Sequence, residues 1–399
     1  MEDFLKKVLL SILSTAMIVP AFAFTSGEKA EPPVDAKQAQ AKAVMGNVYD
    51  SYVKIIPYVY STNYSSWDFS RQKDKKELLK NLNDLSLFFK SAKHADMFQR
   101  PGFRPSLDTI NEHLEETIIS VESNNYVFAQ KRLNVLGALC VSCHSQLPES
   151  VSKNAFGSNI KQEKRELFDS DFSYANYLYL VRRFDDAKTY FNKALDESLS
   201  HSEKRAGPEV LASLRKIISI DTKIKFDYDK ANAFIIKWEK DNRLSSFDRK
   251  MITRWRSNLQ TWKGFNPASA TFLREFIDKN LTPLDMKKEI VFSGEDDINL
   301  FVSSGVLLNY LVVHPDSELA PEILYWLSKI EHKMSQSYFF SLGDLYLKDC
   351  IKKYPSSAYA KKCYQEYADS IESGYSGSSG TDIPPEEKRE LVKLKNLLK

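Results

Sequence analysis

The chain has 399 residues, enough for two or three domains, and its 43% hydrophobic and 27% charged content excludes wholesale disorder. Lys plus Arg number 56 against 53 for Asp plus Glu. A net charge of +3 over this length excludes an overall electrostatic case for nucleic acid or an anionic membrane.

Lys6 and Lys7 precede an apolar run from Val8 to Val19, Pro20 breaks it, and Ala21-Phe22-Ala23 supplies the small residues a signal peptidase reads. A signal peptide is therefore expected over residues 1–23, with export to the periplasm of a Gram-negative type cell. The run falls short of the about 20 apolar residues that span a bilayer. Membrane contact is expected only if the segment is retained. Residues 24–35, with Pro32 and Pro33, read as a flexible leader.

Beyond the leader the apolar residues recur with helical spacing. Val44, Val48, Tyr52, Ile55, Ile56 and Val59 mark a first helix. Leu78, Leu82, Leu85 and Phe89 mark a second, over Lys75 to Ala95. Pro101 and Pro105 bound a loop, Ser106 is the expected cap of a third, and Ile110, Leu114, Thr117 and Val121 face inward from it. Asn124-Asn125 makes a turn into a fourth, from Tyr126 to about Leu147 through Phe128, Ala129, Leu133, Leu136 and Cys140. Four amphipathic helices with short connections predict an up-down four-helix bundle over residues 36–148.

A polar linker is expected at 149–163, then helical repeats over 164–372. Tyr174-Ala175-Asn176-Tyr177-Leu178 and Arg183-Phe184-Asp185-Asp186-Ala187 place small and aromatic residues where two helices of a tetratricopeptide-like hairpin touch. The first-helix Trp and closing Pro of that pattern are missing. An internal repeat lies further on: Leu307 to Leu327 aligns with Leu347 to Tyr367 at an offset of 40 residues, with Pro315-Asp316-Ser317 over Pro355-Ser356-Ser357. Stacked hairpins of this kind present a curved surface to another protein. Residues 373–399 read as a linker and a short C-terminal helix. The expected fold class is all-α, a bundle followed by an α-solenoid.

Cys140-Val141-Ser142-Cys143-His144 carries the chemistry. In C-x-x-C-H the two thiols, one helical turn apart, add across the two vinyl groups of one haem, and the His turns its imidazole under the iron as proximal ligand. The expected cofactor is one covalent haem c, held by Cys140 and Cys143 with His144 on the iron. A thioredoxin-like redox pair would want a βαβ context, a zinc site a second ligand pair, and a structural disulfide a longer loop. No P-loop, G-x-S-x-G, H-E-x-x-H or G-x-G-x-x-G occurs. An electron carrier or binding protein is expected rather than an enzyme.

The helix pattern, the turn at Asn124 and the C-x-x-C-H near the end of the fourth helix resemble the cytochrome c-prime and cytochrome b562 type over about residues 36–147. Cys140 to Pro148 followed by the segment around Arg183-Phe184-Asp185-Asp186-Ala187 is similar to exported proteobacterial proteins that join a haem domain to helical repeats. Resemblance to cytochrome c-prime would imply a five-coordinate iron. Topology offers His94 as a distal ligand, Met45 as a weaker alternative, and Met97 and His113 further behind, His113 being read as exposed. Tyr49, Phe88, Phe89, Phe98 and Phe128 are expected around the haem, with Arg100, Arg104 and Arg132 near its propionates. The expected function is periplasmic electron transfer with a redox partner docking on the repeats. The alternative is a haem-based gas or redox sensor, or an assembly scaffold.

Cys350 and Cys363 flank the Pro355 turn on two helices, a spacing of 13 that suits a disulfide pinning the hairpin in an oxidising compartment.

Overall fold

Helical periodicity is realised along the whole described chain. The computed structural model describes residues 34–60, 72–92, 95–101, 104–146, 162–201, 208–267, 273–283, 294–334, 342–378 and 380–398. The expected signal peptide and almost all of the leader and linker lie outside them. Among the described residues the fold is all-α, with a single pair of two-residue strands at 376–377 and 380–381 inside the expected C-terminal linker. No described helix is long and apolar enough to cross a membrane.

The first four helices are α1 (Val34–Val59), α2 (Gln72–Ala92), α3 (Arg104–Glu122) and α4 (Tyr126–His144). Their inward stripes are the ones periodicity marks: Tyr52, Ile55 and Val59 on α1, Leu78, Leu82 and Leu85 on α2, Ile110, Leu114 and Val121 on α3, and Leu133, Leu136 and Leu139 on α4 are all buried. Each such side chain contributes about 1.5–3 kcal/mol by leaving water. α3 packs along both α2 and α4. Asn124 makes the α3–α4 turn in the left-handed region at φ 59°, a conformation Asn tolerates. The start of α3 differs from expectation. The helix begins at Arg104, not after Ser106, because Pro105 fits a first turn whose N–H groups have no partner within the helix. Phe128 is also corrected: it is 45% exposed, since Ala129, Leu133, Leu136 and Cys140 define the stripe and Phe128 stands about 100° away from it.

The later helices are α5 (Asp171–Leu180), α6 (Phe184–His201), α7 (Pro208–Ser219), α8 (Tyr228–Glu239), α9 (Ser246–Gln260), α10 (Leu273–Asn280), α11 (Asp297–Val313), α12 (Ala320–Lys333), α13 (Gly343–Lys353), α14 (Ala358–Gly374) and α15 (Pro385–Lys395). Neighbours pair along the chain: α5 with α6, α6 with α7, α8 with α9, and each of α11 to α14 with the next. Ala175 and Ala187 are fully buried in the α5–α6 hairpin.

The 40-residue repeat is exact at the level of hydrogen bonds. After α11, His314 N donates to Tyr310 O (2.8 Å), Ser317 N to His314 O (3.2 Å) and Ala320 N to Ser317 O (2.9 Å). After α13, Tyr354 N donates to Cys350 O (3.1 Å), Ser357 N to Tyr354 O (2.9 Å) and Ala360 N to Ser357 O (3.0 Å). The serine hydroxyls repeat too: Leu319 N donates to Ser317 Oγ and Tyr359 N to Ser357 Oγ, both at 3.2 Å. Within the second copy, Cys350 and Cys363 form a disulfide with Cα atoms 6.5 Å apart.

α7 runs on into a π-helical segment, Ile220–Ile224, whose five residues are all buried. Two charges near it are neutralised inside: Lys188 donates to both oxygens of Asp221, and Arg215 pairs with Asp297 where both side chains are 3% exposed. Gly305 of α11 is required here, because a Cβ would come within 2.5 Å of the Lys223 carbonyl oxygen. The N-terminal helices pack against the later ones. α5 packs on α4, and α13 packs on α3, with Lys353 Nζ donating to Gln99 O (2.9 Å). Residues 37–399 thus form one compact unit.

Candidate haem-attachment site

The C-x-x-C-H motif occupies the last turn and a half of α4. Cys140 and His144 stand four residues apart, so they share the face that Leu133 and Leu136 carry into the core. Cys140 is 8% exposed. The side chain of Cys143 lies outside the described residues, as do His94 and the side chains of Met97 and Arg104.

One turn before Cys140, Gly137 leaves room for two phenols. A Cβ there would stand 3.5 Å from the hydroxyls of both Tyr52 and Tyr60. Tyr52 donates to Tyr60 at 3.1 Å, and burial holds both phenols well above their ordinary pKa. Tyr49 shares a 2.8 Å hydrogen bond with Tyr177 of α5. The aromatic wall beside Cys140 therefore ties α1 to the later helices.

His144 is held from outside α4. Its Nδ1 lies 2.5 Å from Leu180 O at the end of α5. A carbonyl oxygen only accepts, so Nδ1 carries the hydrogen and, in the neutral ring, Nε2 carries the lone pair. Burial, with the charge of Arg182 adding to it, brings the ring's pKa down to about 4, so the imidazole is neutral at pH 7. Arg182 also donates to the backbone carbonyl of His144. Past the motif, Ser145 and Gln146 are buried, and Gln146 Nε2 donates to Tyr346 OH of α13 at 3.1 Å. The end of α4 is enclosed by two separate parts of the later helices.

Two other candidates, His113 and Arg132, stand apart from this point. His113 is 7% exposed, not on the surface. It shares the stripe of Ile110, Leu114 and Thr117, and its Nε2 donates to Arg132 O at 2.6 Å. Arg132 precedes His144 by 12 residues, which is about 18 Å along a helix. That removes His113 from an iron bound at His144. Arg132 itself pairs with Glu116 and lies over the Phe128 ring, so neither residue faces the motif's end of α4. Met45 is half-buried on α1 against the core. Phe89 and Phe98 are buried and Phe88 partly so. Among the described residues, no three His, Cys, Asp or Glu gather as a metal cluster. Sequence reasoning missed Leu180, Arg182, Tyr52, Tyr60 and Gln146. Only the small residue Gly137, beside the cysteines, hinted at a close neighbour. The chain matches no protein-family model, no curated protein and no solved structure.

Proposed function

We propose that the chain is an exported monohaem c-type cytochrome, with a four-helix haem domain followed by a solenoid of tetratricopeptide-like hairpins. The single observation that carries this reading is the hydrogen bond from His144 Nδ1 to a backbone carbonyl. Iron-ligating histidines are set in this way, with the far ring nitrogen donating to a carbonyl or carboxylate and the near one keeping its lone pair for the metal. A neutral, oriented His144 beside a buried Cys140 fits the proximal half of a haem site. Cys140 and Cys143 would hold the group through thioether bonds. The haem would supply a one-electron iron couple. The chain's own part is to fix the imidazole, exclude water at Cys140 with Tyr52 and Tyr60, and present a docking surface for a redox partner. His94 is the proposed distal ligand and Met45 the weaker one.

A second reading keeps the haem but changes its use. His144 and Gln146 both contact helices far along the chain, so the centre joins the two regions. A haem there could sense a gas or redox state, or serve as a staple in a scaffold. Optical spectra of the purified protein, oxidised, reduced and with carbon monoxide, separate the two. A low-spin spectrum unmoved by carbon monoxide supports the carrier. Carbon monoxide binding supports the sensor, and His94→Ala without spectral change removes His94 as ligand.

A further inference from the structure

The turn between α5 and α6 has a feature that its own packing does not require. Arg183 N donates to Leu178 O (2.8 Å) and Arg182 N to Tyr179 O (3.1 Å), the paired bonds of a Schellman cap. The cap's left-handed position, at φ 62°, is Arg182. Glycine is the usual residue there, because a Cβ crowds the backbone in this conformation. The arginine places its side chain over the Phe184 ring, 4.9 Å from the centroid, and donates to the last carbonyl of α4. The Arg182 guanidinium therefore sits at the C-terminus of α4, which ends at His144, and the His144 ring sits at the C-terminus of α5, which ends at Leu180. Each terminus carries partial negative charge, which a cation offsets. Leu180 O, left over by the cap's bonding pattern, accepts from His144 Nδ1.

On the reading that His144 binds haem iron, we propose that this turn belongs to the redox centre: Leu180 O positions the axial imidazole, and the fixed charge of Arg182 raises the reduction potential. Ferric haem carries one more positive charge than ferrous haem. A partly buried cation bonded to the backbone of His144 disfavours the ferric state. Arg182 is a positioning residue, since it touches His144 through its backbone.

The test is spectroelectrochemical titration of the full-length haem-loaded protein and three variants. Arg182→Asn keeps a residue that tolerates the left-handed turn and removes the charge. It is expected to shift the ferrous-to-ferric ratio at fixed potential about tenfold toward ferric, or about 59 mV for one electron. Arg182→Lys is expected to restore most of the shift. Arg182→Gly, which relieves the backbone, is expected to match Arg182→Asn, and it carries the test if the Asn variant does not fold. Haem-bound, folded charge-removal variants with an unchanged potential would overturn the proposal while leaving haem binding intact. Nitrogen-15 NMR of the haem-free Cys140→Ala/Cys143→Ala protein reads the clamp independently. Protonated Nδ1 on His144 is expected there, and protonated Nε2 would overturn the positioning role. A wild type without covalent haem defeats the functional reading instead, and is told apart by its absorption spectrum.

Discussion

Acid should destabilise this protein through a histidine that plays no part in the proposed chemistry. Burial, with the Arg132 charge adding to it, brings the pKa of His113 from 6.5 down to about 4. The folded state therefore binds fewer protons than the unfolded chain between those values. Stability is complete above about pH 6.5 and falls as the pH drops toward 4. The drop works out at about 1.4 kcal/mol per pH unit, or about 3 kcal/mol over the window. His144 behaves alike while its Nε2 can accept a proton, since its pKa is also about 4. His113→Gln retains a side-chain N–H for Arg132 O and does not titrate. Urea unfolding at half-unit steps from pH 7.5 to 4 should show the variant losing one proton's worth of slope. Equal slopes in wild type and His113→Gln would show that no neutral His113 is buried in the fold.

Gly305→Ala forces a Cβ against the Lys223 carbonyl and should cost about 1–3 kcal/mol as an overpacked core position, read as a lower urea midpoint at unchanged slope. Lys188→Met leaves the buried Asp221 carboxylate uncompensated and should cost about 3 kcal/mol; Lys188→Met/Asp221→Leu should recover most of it, and additive losses would show that the two do not interact. Reducing Cys350–Cys363 opens a loop of sequence separation 13, and thermal melts with and without reductant should differ by about 3 kcal/mol on the chain-entropy argument.

The helices were legible because burial at period 3.6 needs no knowledge of partners. Leu78, Leu82 and Leu85 could face only inward, and each is at most 1% exposed. The repeat was legible because Ser317 and Ser357 cap their turns by the same local bond. His113 was misread from its charged neighbours Glu112 and Glu115. A helix turns about 100° per residue, so adjacent residues say little about direction, and the spacing to Ile110 and Thr117 already pointed it inward. The C-x-x-C-H motif named its own residues. What holds His144 could not be read, because Leu180 and Arg182 are 36 and 38 positions away. Nor does an arginine in a left-handed cap announce itself by composition, since glycine is the residue that marks such turns.

Intact mass spectrometry of the exported protein after acid–acetone extraction reads directly whether haem is held covalently at Cys140 and Cys143. One haem mass retained per chain is expected, with a pyridine haemochrome spectrum, both abolished in Cys140→Ala/Cys143→Ala. Haem released into the acetone, or a mature chain whose mass is that of the polypeptide alone, would contradict covalent attachment.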